Sequence, residues 1–373
     1  RERFAGKVAA LSVMLAVFFT GMGHANQPEL PAEGNRVLLW EQTEMVRREP
    51  VLLIEHGNGT TSGQLLFKAD SVLRIYSPAE GRDIPVWDFT LDGERTLCYV
   101  GTGDVPKVEE VDLVSDTKTP YSIQGHIDGK HYLLYLEGQF YNKQVLVDYT
   151  TSEEWTGPVP DAHPEVFGSF IEALMSGEPV TVVLLGDSIS KGANHKDEPP
   201  YIEQFVEYLR GHSDSQITLH NLSVGGKSSP WGLTQAEQAA DLHPDLFIVA
   251  FGMNDASGKF PAEQYAKTIR QIVEVVQQRN PEVPCILVSG MEANPSWTLA
   301  RPDLHARYHD ALLSVAKELP NTVVCDVYSP WRWMVERKGF LSLTGNGVNH
   351  PNDYGHRLYA DTLVWTLYGD FIR

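Results

Sequence analysis

The stretch Thr181-Val182-Val183-Leu184-Leu185-Gly186-Asp187-Ser188 decides the fold of the second half of this chain. Its β-branched and leucine residues predict a strand buried on both faces, and polar residues follow directly at its carboxyl end. Similar runs recur at Ile217–Asn221, Leu246–Phe251, Cys285–Ser289 and Thr322–Val327. Segments with helical periodicity separate them, most clearly over residues 262–279. Strands that alternate with helices predict a three-layer α/β/α domain with a parallel five-stranded sheet over residues 161–373.

The first half of the chain has a different pattern of predicted secondary structure. Short β-rich runs are separated by turn residues, and no convincing amphipathic helix interrupts them; the runs are Val51–Glu55, Gln64–Lys68, Val72–Ser77, Val86–Leu91, His131–Glu137 and Gln144–Tyr149. This spacing predicts a smaller all-β sandwich, of jelly-roll type, over residues 30–155. The Pro- and Gly-containing segment at residues 155–160 is typical of a linker between two domains.

The first 25 residues differ in character from the rest. Three basic residues precede an apolar run of residues 8–22, and small residues follow it. This order is typical of a secretory signal peptide, and the run is shorter than the roughly 20 residues that a membrane-spanning helix needs. The sequence therefore predicts a secreted or periplasmic protein without stable membrane insertion.

Acidic side chains outnumber basic ones, with 49 Asp and Glu against 30 Lys and Arg and a formal net charge of −19. Such a surface repels phosphate backbones and anionic lipid headgroups, so nucleic acid is not expected as a partner. Neither a metal-ligand motif such as HExxH nor a Cys-x-x-Cys pair is present, and the sequence predicts no metal and no cofactor. The three cysteines, Cys98, Cys285 and Cys325, are interpreted as core residues, with a disulfide between the last two left open.

Polar residues follow the predicted strands at the points where the strands end. The four segments are Gly186-Asp187-Ser188, Ser223-Val224-Gly225-Gly226, Gly252-Met253-Asn254-Asp255 and Asn349-His350-Pro351-Asn352. Because loops at the carboxyl ends of parallel strands converge, these segments are expected to meet at one edge of the sheet. A hydroxyl nucleophile, a glycine N–H, an amide donor and an imidazole are the groups that acyl transfer requires.

These four segments, in this order, resemble the sequence blocks of the SGNH (GDSL-like) hydrolases over residues 178–370. The resemblance implies that Ser188 is the nucleophile and that His350 is the general base. It also implies an oxyanion hole formed by the N–H groups of Ser188 and Gly226 and by the side chain of Asn254. Gly226 is preferred to its neighbour Gly225 because the Asn-x-Ser-x-x-Gly register fits it better.

One position departs from the family pattern. Most members carry an Asp three residues before the catalytic His, where its carboxylate holds the imidazole, and this chain has Gly347 there. Three explanations remain: a Ser–His dyad whose ring N–H is held by a backbone carbonyl, an acid supplied by Asp326 or Asp353, or an inactive relative. The dyad is favoured, because the architecture is similar to two-domain carbohydrate esterases with an N-terminal β-sandwich, some of which work without the acid.

The resemblance implies a serine esterase that removes short acyl groups, most simply O-acetyl, from a polysaccharide or oligosaccharide. A lipid or general carboxylesterase of the same fold is the first alternative, and a catalytically inactive carbohydrate-binding protein is the second. Four tryptophans are expected in loops at the active edge, where their rings would stack on sugars: Trp231, Trp297, Trp331 and Trp333.

Overall fold

The computed structural model describes residues 38–42, 44–93 and 95–369. The segment interpreted as a signal peptide, residues 1–25, lies outside the described residues. The described residues all belong to one compact unit. Among the described residues, no helix combines the length and the apolar character that crossing a membrane requires.

A parallel five-stranded sheet forms the centre of the second half, as predicted. Its strands are β13 (Val180–Gly186), β14 (Ile217–Asn221), β15 (Leu246–Ala250), β16 (Cys285–Ser289) and β17 (Thr322–Asp326). They lie side by side in the order β14-β13-β15-β16-β17, and all pairs are parallel. The order reverses at β13, so the carboxyl end of β13 is the topological switch point where such sheets bind ligands.

Helices cover both faces of this sheet. They are α1 (Gly168–Ser176), α2 (Ser188–Lys191), α3 (Tyr201–Gly211), α4 (Ser229–Asp241), α5 (Met253–Ser257), α6 (Ala262–Arg279), α7 (Pro302–Glu318), α8 (Tyr328–Lys338) and α9 (Asp353–Tyr368). Successive strand residues point to opposite faces of the sheet. Val183 and Leu185 pack with α4, α6 and α7, whereas Val182 and Leu184 belong to a separate hydrophobic core on the other face. Burial on both sides explains why these strands are continuous apolar runs.

The described part of the first half, from residue 38 onward, is an all-β region with three sheets. Its strands are β1 (Glu44–Leu52), β2 (Ile54–Glu55), β3 (Thr61–Gln64), β4 (Ser71–Ser77), β5 (Arg82–Ile84), β6 (Phe89–Asp92), β7 (Thr96–Tyr99), β8 (Val108–Glu109), β9 (Val114–Ser115), β10 (Gln124–Gly125), β11 (Tyr132–Leu133) and β12 (Gln144–Thr151). The sheet orders are β1-β12-β4-β5, β6-β7-β3-β2-β8 and β10-β11-β9. Pairing is antiparallel except between β2 and β8. The predicted all-β character is confirmed.

Three of the predicted strand boundaries in this region are wrong. The run Gln64–Lys68 is mostly a loop, because Leu65, Leu66 and Phe67 are buried as a group rather than on alternate faces. A 3₁₀ turn occupies residues 86–88, and only two residues of the run 131–137 pair as a strand. The first and third of these runs contain apolar residues that are buried by packing against the rest of the protein, whereas Trp87 in the 3₁₀ turn is 82% exposed.

One hydrophobic core is shared by the all-β region and the helical half. It joins Val51 and Tyr149 of the first half to Val182 and Leu363 of the second. A buried ion pair also joins the halves, because Lys338 Nζ of α8 contacts a Glu49 oxygen of β1 with neither side chain exposed. The division into domains at residues 155–160 stays a prediction.

The cysteines are unpaired thiols, which answers the question that the sequence left open. Cys285 and Cys325 lie on adjacent strands but belong to the cores on opposite faces of the sheet. A disulfide between them would require one strand to turn over. Both thiols are packed as small apolar side chains, and burial raises the pKa of each.

Candidate active site

Ser188 lies at the sharp turn between β13 and α2. The turn needs glycine at position 186, because a Cβ there would lie 2.5 Å from Ser190 Oγ and 2.7 Å from the carbonyl oxygen of Ala250. The Asp187 carboxylate then accepts the Ile189 N–H at 3.0 Å and caps the helix. Its burial raises the pKa of Asp187 to about 7. Ser188 is thereby the first residue of the helix, and it is partly exposed at the sheet edge.

His350 faces this hydroxyl from the loop before α9. Its Nε2 lies 2.9 Å from Ser188 Oγ, within hydrogen-bonding distance, although the two residues are 162 positions apart. Burial lowers the pKa of His350 to about 4 because the imidazolium would lose its hydration. The ring is therefore neutral at physiological pH and can accept the hydroxyl proton.

The other ring nitrogen of His350 is held by an asparagine. Nδ1 is hydrogen-bonded to Asn194 Oδ1, and Asn346 Nδ2 lies 3.1 Å from the same nitrogen. The orientation of Asn346 is set by its Oδ1, which accepts backbone N–H groups of residues 348, 349 and 350. Its Nδ2 donates to Asn349 Oδ1 at 3.0 Å. When Nε2 accepts from Ser188, Nδ1 carries the hydrogen and donates it to Asn194.

Asn194 is a residue that the sequence reasoning missed. The expected partner of the ring was a backbone carbonyl or a carboxylate, and the structure has a side-chain amide there. Asn194 adopts a left-handed backbone conformation with φ of +65°, which asparagine tolerates better than most residues. Its backbone packs against Gly345, where a Cβ would lie 2.7 Å from the Asn194 carbonyl oxygen. No motif marks the position, because the contact forms across 156 residues of sequence.

The two carboxylates considered as substitutes have other partners. Asp353 accepts the backbone N–H groups of residues 196, 197 and 198, and so holds the loop that carries Asn194. Asp326 Oδ1 accepts the Ser329 N–H and lies 3.6 Å from His309 Nδ1. Among the described residues, no carboxylate is hydrogen-bonded to His350.

A tight turn at residues 224–227 lies beside the nucleophile. The Lys227 N–H donates to the Val224 carbonyl at 3.3 Å, and Gly226 has φ of +74°, a conformation that favours glycine. A Cβ at Gly225 would lie only 3.7 Å from Ser188 Cβ. Both glycines are exposed, so their N–H groups border the open side of the site.

Asn254 joins this turn from the start of α5. Its Nδ2 donates one hydrogen to the Lys227 carbonyl at 2.9 Å, which leaves the second hydrogen of the amide for another acceptor. The neighbouring Asp255 accepts the Ser229 N–H at 3.0 Å and also the Ser229 hydroxyl. This links the start of α5 to the start of α4, directly after the turn at residues 224–227. The structure thus pairs Ser188 with His350 and places the turn that contains Gly226 beside Ser188, with Asn254 bonded to the same turn.

Three of the four tryptophans are not in loops, contrary to expectation. Trp331 is fully buried in α8, and Trp333 of the same helix packs on Trp155 with ring centroids 4.1 Å apart. Trp297 lies in a loop but is buried, with Nε1 donating to Gln124 Oε1 at 3.1 Å. Trp231, in α4, is half-buried beside Lys227, whose Nζ lies 5.8 Å from the ring centre.

The half of the chain that carries these loops is similar to known proteins. Residues 184–358 match the model of the GDSL-like Lipase/Acylhydrolase family. Thioesterase 1/protease 1/lysophospholipase L1 of Escherichia coli K12 is 25% identical over 193 residues, which are 50% of this chain and 83% of that protein.

Two solved structures are similar in part. The first is a two-domain esterase active on acetylated mannans, with 23% identity and a TM-score of 0.46 over 57% of this chain. The match spans 55% of that esterase, little more than half of its length. The second is an acetylxylan esterase from Geobacillus stearothermophilus, with 18% identity and a TM-score of 0.45 over 53% of this chain and 98% of that one. The family match covers all four loops of the site, and residues 184–358 therefore form a domain of the GDSL-like lipase/acylhydrolase family.

Proposed function

We propose that this protein is an ester hydrolase in which Ser188 is the nucleophile and His350 is the general base. The observation that carries the proposal is the 2.9 Å distance between Ser188 Oγ and His350 Nε2. His350 takes the hydroxyl proton while Ser188 Oγ bonds to the acyl carbon, and the imidazolium then gives that proton to the departing alcohol. Water then attacks the acyl-enzyme while His350 takes its proton, and His350 returns that proton to Ser188 Oγ as the carboxylic acid leaves.

The oxyanion of each tetrahedral intermediate needs donors that are already in place. The Ser188 N–H is at a helix start and has no partner within the helix. Gly226 and the free hydrogen of Asn254 Nδ2 supply the others, with Asn254 held by its bond to the Lys227 carbonyl. Donors of this kind are each worth about a hundred- to thousandfold in rate.

The catalytic pair works without a carboxylate. Asn194 Oδ1 accepts the Nδ1–H of His350, which selects the tautomer whose Nε2 can receive the serine proton. A neutral amide orients the ring but stabilises the transient imidazolium less than a carboxylate would. Asn194 is thus a positioning residue that acts through His350.

The proposed substrate is a short acyl ester, most simply O-acetyl, on a polysaccharide or oligosaccharide. The glycine turn beside Ser188 is exposed, as a bulky sugar alcohol would require. Half-buried Trp231 next to this turn offers an aromatic face, the surface on which sugar rings stack. The net charge of −19 disfavours anionic lipid surfaces. Export through the segment at residues 1–25 would place the protein where such substrates occur.

Hydrolysis of a chromogenic acetate ester by the purified full chain tests the chemistry. We expect turnover that falls at least a thousandfold in Ser188→Ala and in His350→Ala, while Ser257→Ala, a nearby hydroxyl outside the site, retains activity. Unchanged turnover in Ser188→Ala would show that another residue is the nucleophile.

The substrate class is tested separately with acetylated xylan, mannan, pectin and peptidoglycan, each assayed for released acetate. Esters of increasing chain length and a lysophospholipid form the comparison, because the Escherichia coli relative is named a thioesterase and lysophospholipase. Preference for acetate on one polysaccharide supports the proposal. Preference for long chains would identify a lipid esterase, and loss of all turnover with retained sugar binding would identify an inactive binding protein.

A further inference from the structure

A cluster of potential metal ligands lies in the turn between β10 and β11, outside the ester site. His126, Asp128 and His131 each offer one ligand atom, and these atoms lie within 4.8 Å of one another. Asp128 Oδ2 is 3.2 Å from His126 Nδ1 and 2.5 Å from His131 Nδ1. Ligands on a tetrahedral zinc ion are about 3.3 Å apart, given zinc–nitrogen distances of about 2.0–2.1 Å. Both distances from Asp128 Oδ2 are therefore within about 1 Å of the separation that a tetrahedral ion requires.

The backbone of the turn holds these side chains in place. His126 N–H donates to the His131 carbonyl at 2.8 Å, and Gly129 N–H donates to the His126 carbonyl at 3.0 Å. Asp128 Oδ1 accepts the N–H groups of residues 130 and 131 at 2.8 and 3.0 Å. One carboxylate oxygen is thus used by the turn, and this fixes the direction of the other oxygen toward both imidazoles.

An outer carboxylate completes the arrangement. His131 Nε2 lies 3.1 Å from Asp116 Oδ1, on the side of the ring opposite Asp128. Metal-binding histidines usually donate their second ring N–H to a carboxylate in this way, which leaves a lone pair on the ligating nitrogen. An ion would replace the hydrogen bond between His131 Nδ1 and Asp128 Oδ2. It would also replace one long hydrogen bond, from the Asp128 N–H to His126 Nδ1 at 3.3 Å.

We propose that His126, Asp128 and His131 bind a zinc-class transition-metal ion. Two imidazoles and one carboxylate suit zinc, nickel or copper, whereas calcium and magnesium prefer sites made of oxygen ligands. Three protein ligands leave a fourth position for water or for another ligand. The side chains are 21 to 37% exposed, so an ion can reach them from solvent.

The site would stiffen the wall of the ester site rather than take part in its chemistry. The turn is bonded to the loop before α7, by Ile127 N–H to the Ser296 carbonyl at 2.7 Å and by Thr298 N–H to the Gly125 carbonyl at 2.9 Å. Asn294 of that loop donates its backbone and side-chain N–H groups to the carbonyls of residues 348 and 347. These two residues lie two and three positions before His350 in the same loop.

Zinc binding to the chelator-stripped full chain tests this proposal by equilibrium dialysis and isothermal titration, with Ni²⁺, Ca²⁺ and Mg²⁺ as comparisons. We expect one Zn²⁺ per chain, competition by Ni²⁺ and no binding of Ca²⁺ or Mg²⁺. Saturating Zn²⁺ should raise the thermal unfolding temperature. Neither readout depends on esterase activity, so the result is independent of the proposed function.

Variants identify the ligands. His131→Gln should abolish this site, and Asp128→Asn should weaken it at least tenfold while its Oδ1 still supports the turn. His163→Gln is the matched control, because His163 also faces a carboxylate, Glu165, at 3.4 Å but has no second imidazole in its cluster. If the wild-type chain binds no zinc, or if His131→Gln binds it as tightly as the wild type, the proposal is wrong.

Discussion

A Cβ placed on Gly347 would lie 2.6 Å from the carbonyl oxygen of Leu134. It would also lie 2.9 Å from the ring of Phe140, and Gly347 has φ of +88°. Leu134 and Phe140 belong to the all-β region, so that region occupies the space in which an acidic side chain would stand. The packing of the two halves therefore leaves no room for a carboxylate three residues before His350.

An acidic residue introduced at position 347 should not improve catalysis. We expect Gly347→Asp to lower the free energy of unfolding by about 2 kcal/mol or more, from the contact with Leu134 and the strained φ together, and to reduce turnover rather than raise it. Urea unfolding and kcat/KM on an acetate ester measure both effects. Gly59→Asp is the control, because Gly59 has φ of +83° with open space around it and reports the backbone cost alone. A stable and more active Gly347→Asp would contradict the steric argument.

The pH profile should report the partner of His350. The neutral imidazole is the working base, so kcat/KM should fall as the pH drops through the lowered pKa of about 4. A carboxylate beside Nδ1 favours the imidazolium, and Asn194→Asp should therefore move this acid limb to higher pH.

Asn194→Ala should lower kcat by about ten- to hundredfold, because the ring loses its orientation. It should not move the acid limb upward as Asn194→Asp does. Circular dichroism over the same pH range separates titration from unfolding. Equal acid limbs in the wild type and Asn194→Asp would mean that residue 194 does not face the ring in solution.

Asn254 should act on the transition state and not on substrate binding. Asn254→Ala removes one oxyanion donor, so we expect kcat to fall by about a hundred- to thousandfold with KM little changed. The comparison is Asn58→Ala, an exposed turn residue of the all-β region. A rise in KM with unchanged kcat would place Asn254 in ground-state binding instead.

The buried pair of Lys338 and Glu49 should couple the two halves of the protein. Burial lowers the pKa of Lys338, and its ammonium also donates to the Pro50 carbonyl at 2.6 Å. Lys338→Met leaves Glu49 buried without its cation and should destabilise the fold by about 3–5 kcal/mol in urea unfolding.

The double variant Glu49→Gln with Lys338→Met should recover much of that loss, since no charge remains buried. Arg279→Met, which breaks the exposed pair with Glu237, is the control and should have little effect. A cost for Lys338→Met as small as that of Arg279→Met would show that the pair does not hold the halves together.

The catalytic half could be predicted in detail because the apolar runs and helical periodicity that define it are local features of the sequence. All five strands of the sheet were found from continuous apolar runs, and the helix at residues 262–279 has the predicted bounds. In the all-β region the runs at residues 64–68 and 131–137 were wrongly predicted as strands over their full length, because their apolar side chains are buried by long-range packing and not by strand pairing. Strand bounds that depend on distant partners are not encoded in a local period.

The sequence by itself determined which groups follow which strands, and hence that a hydroxyl, a glycine turn, an amide and an imidazole would collect at one sheet edge. Periodicity and loop chemistry depend on residues that are a few positions apart, so they can be recognised in a single sequence. Only the tertiary structure decided what holds His350, because Asn194 reaches the ring across 156 residues and Leu134 excludes an acid at position 347. Contacts of that kind depend on how two halves of the chain pack, and no local pattern specifies them.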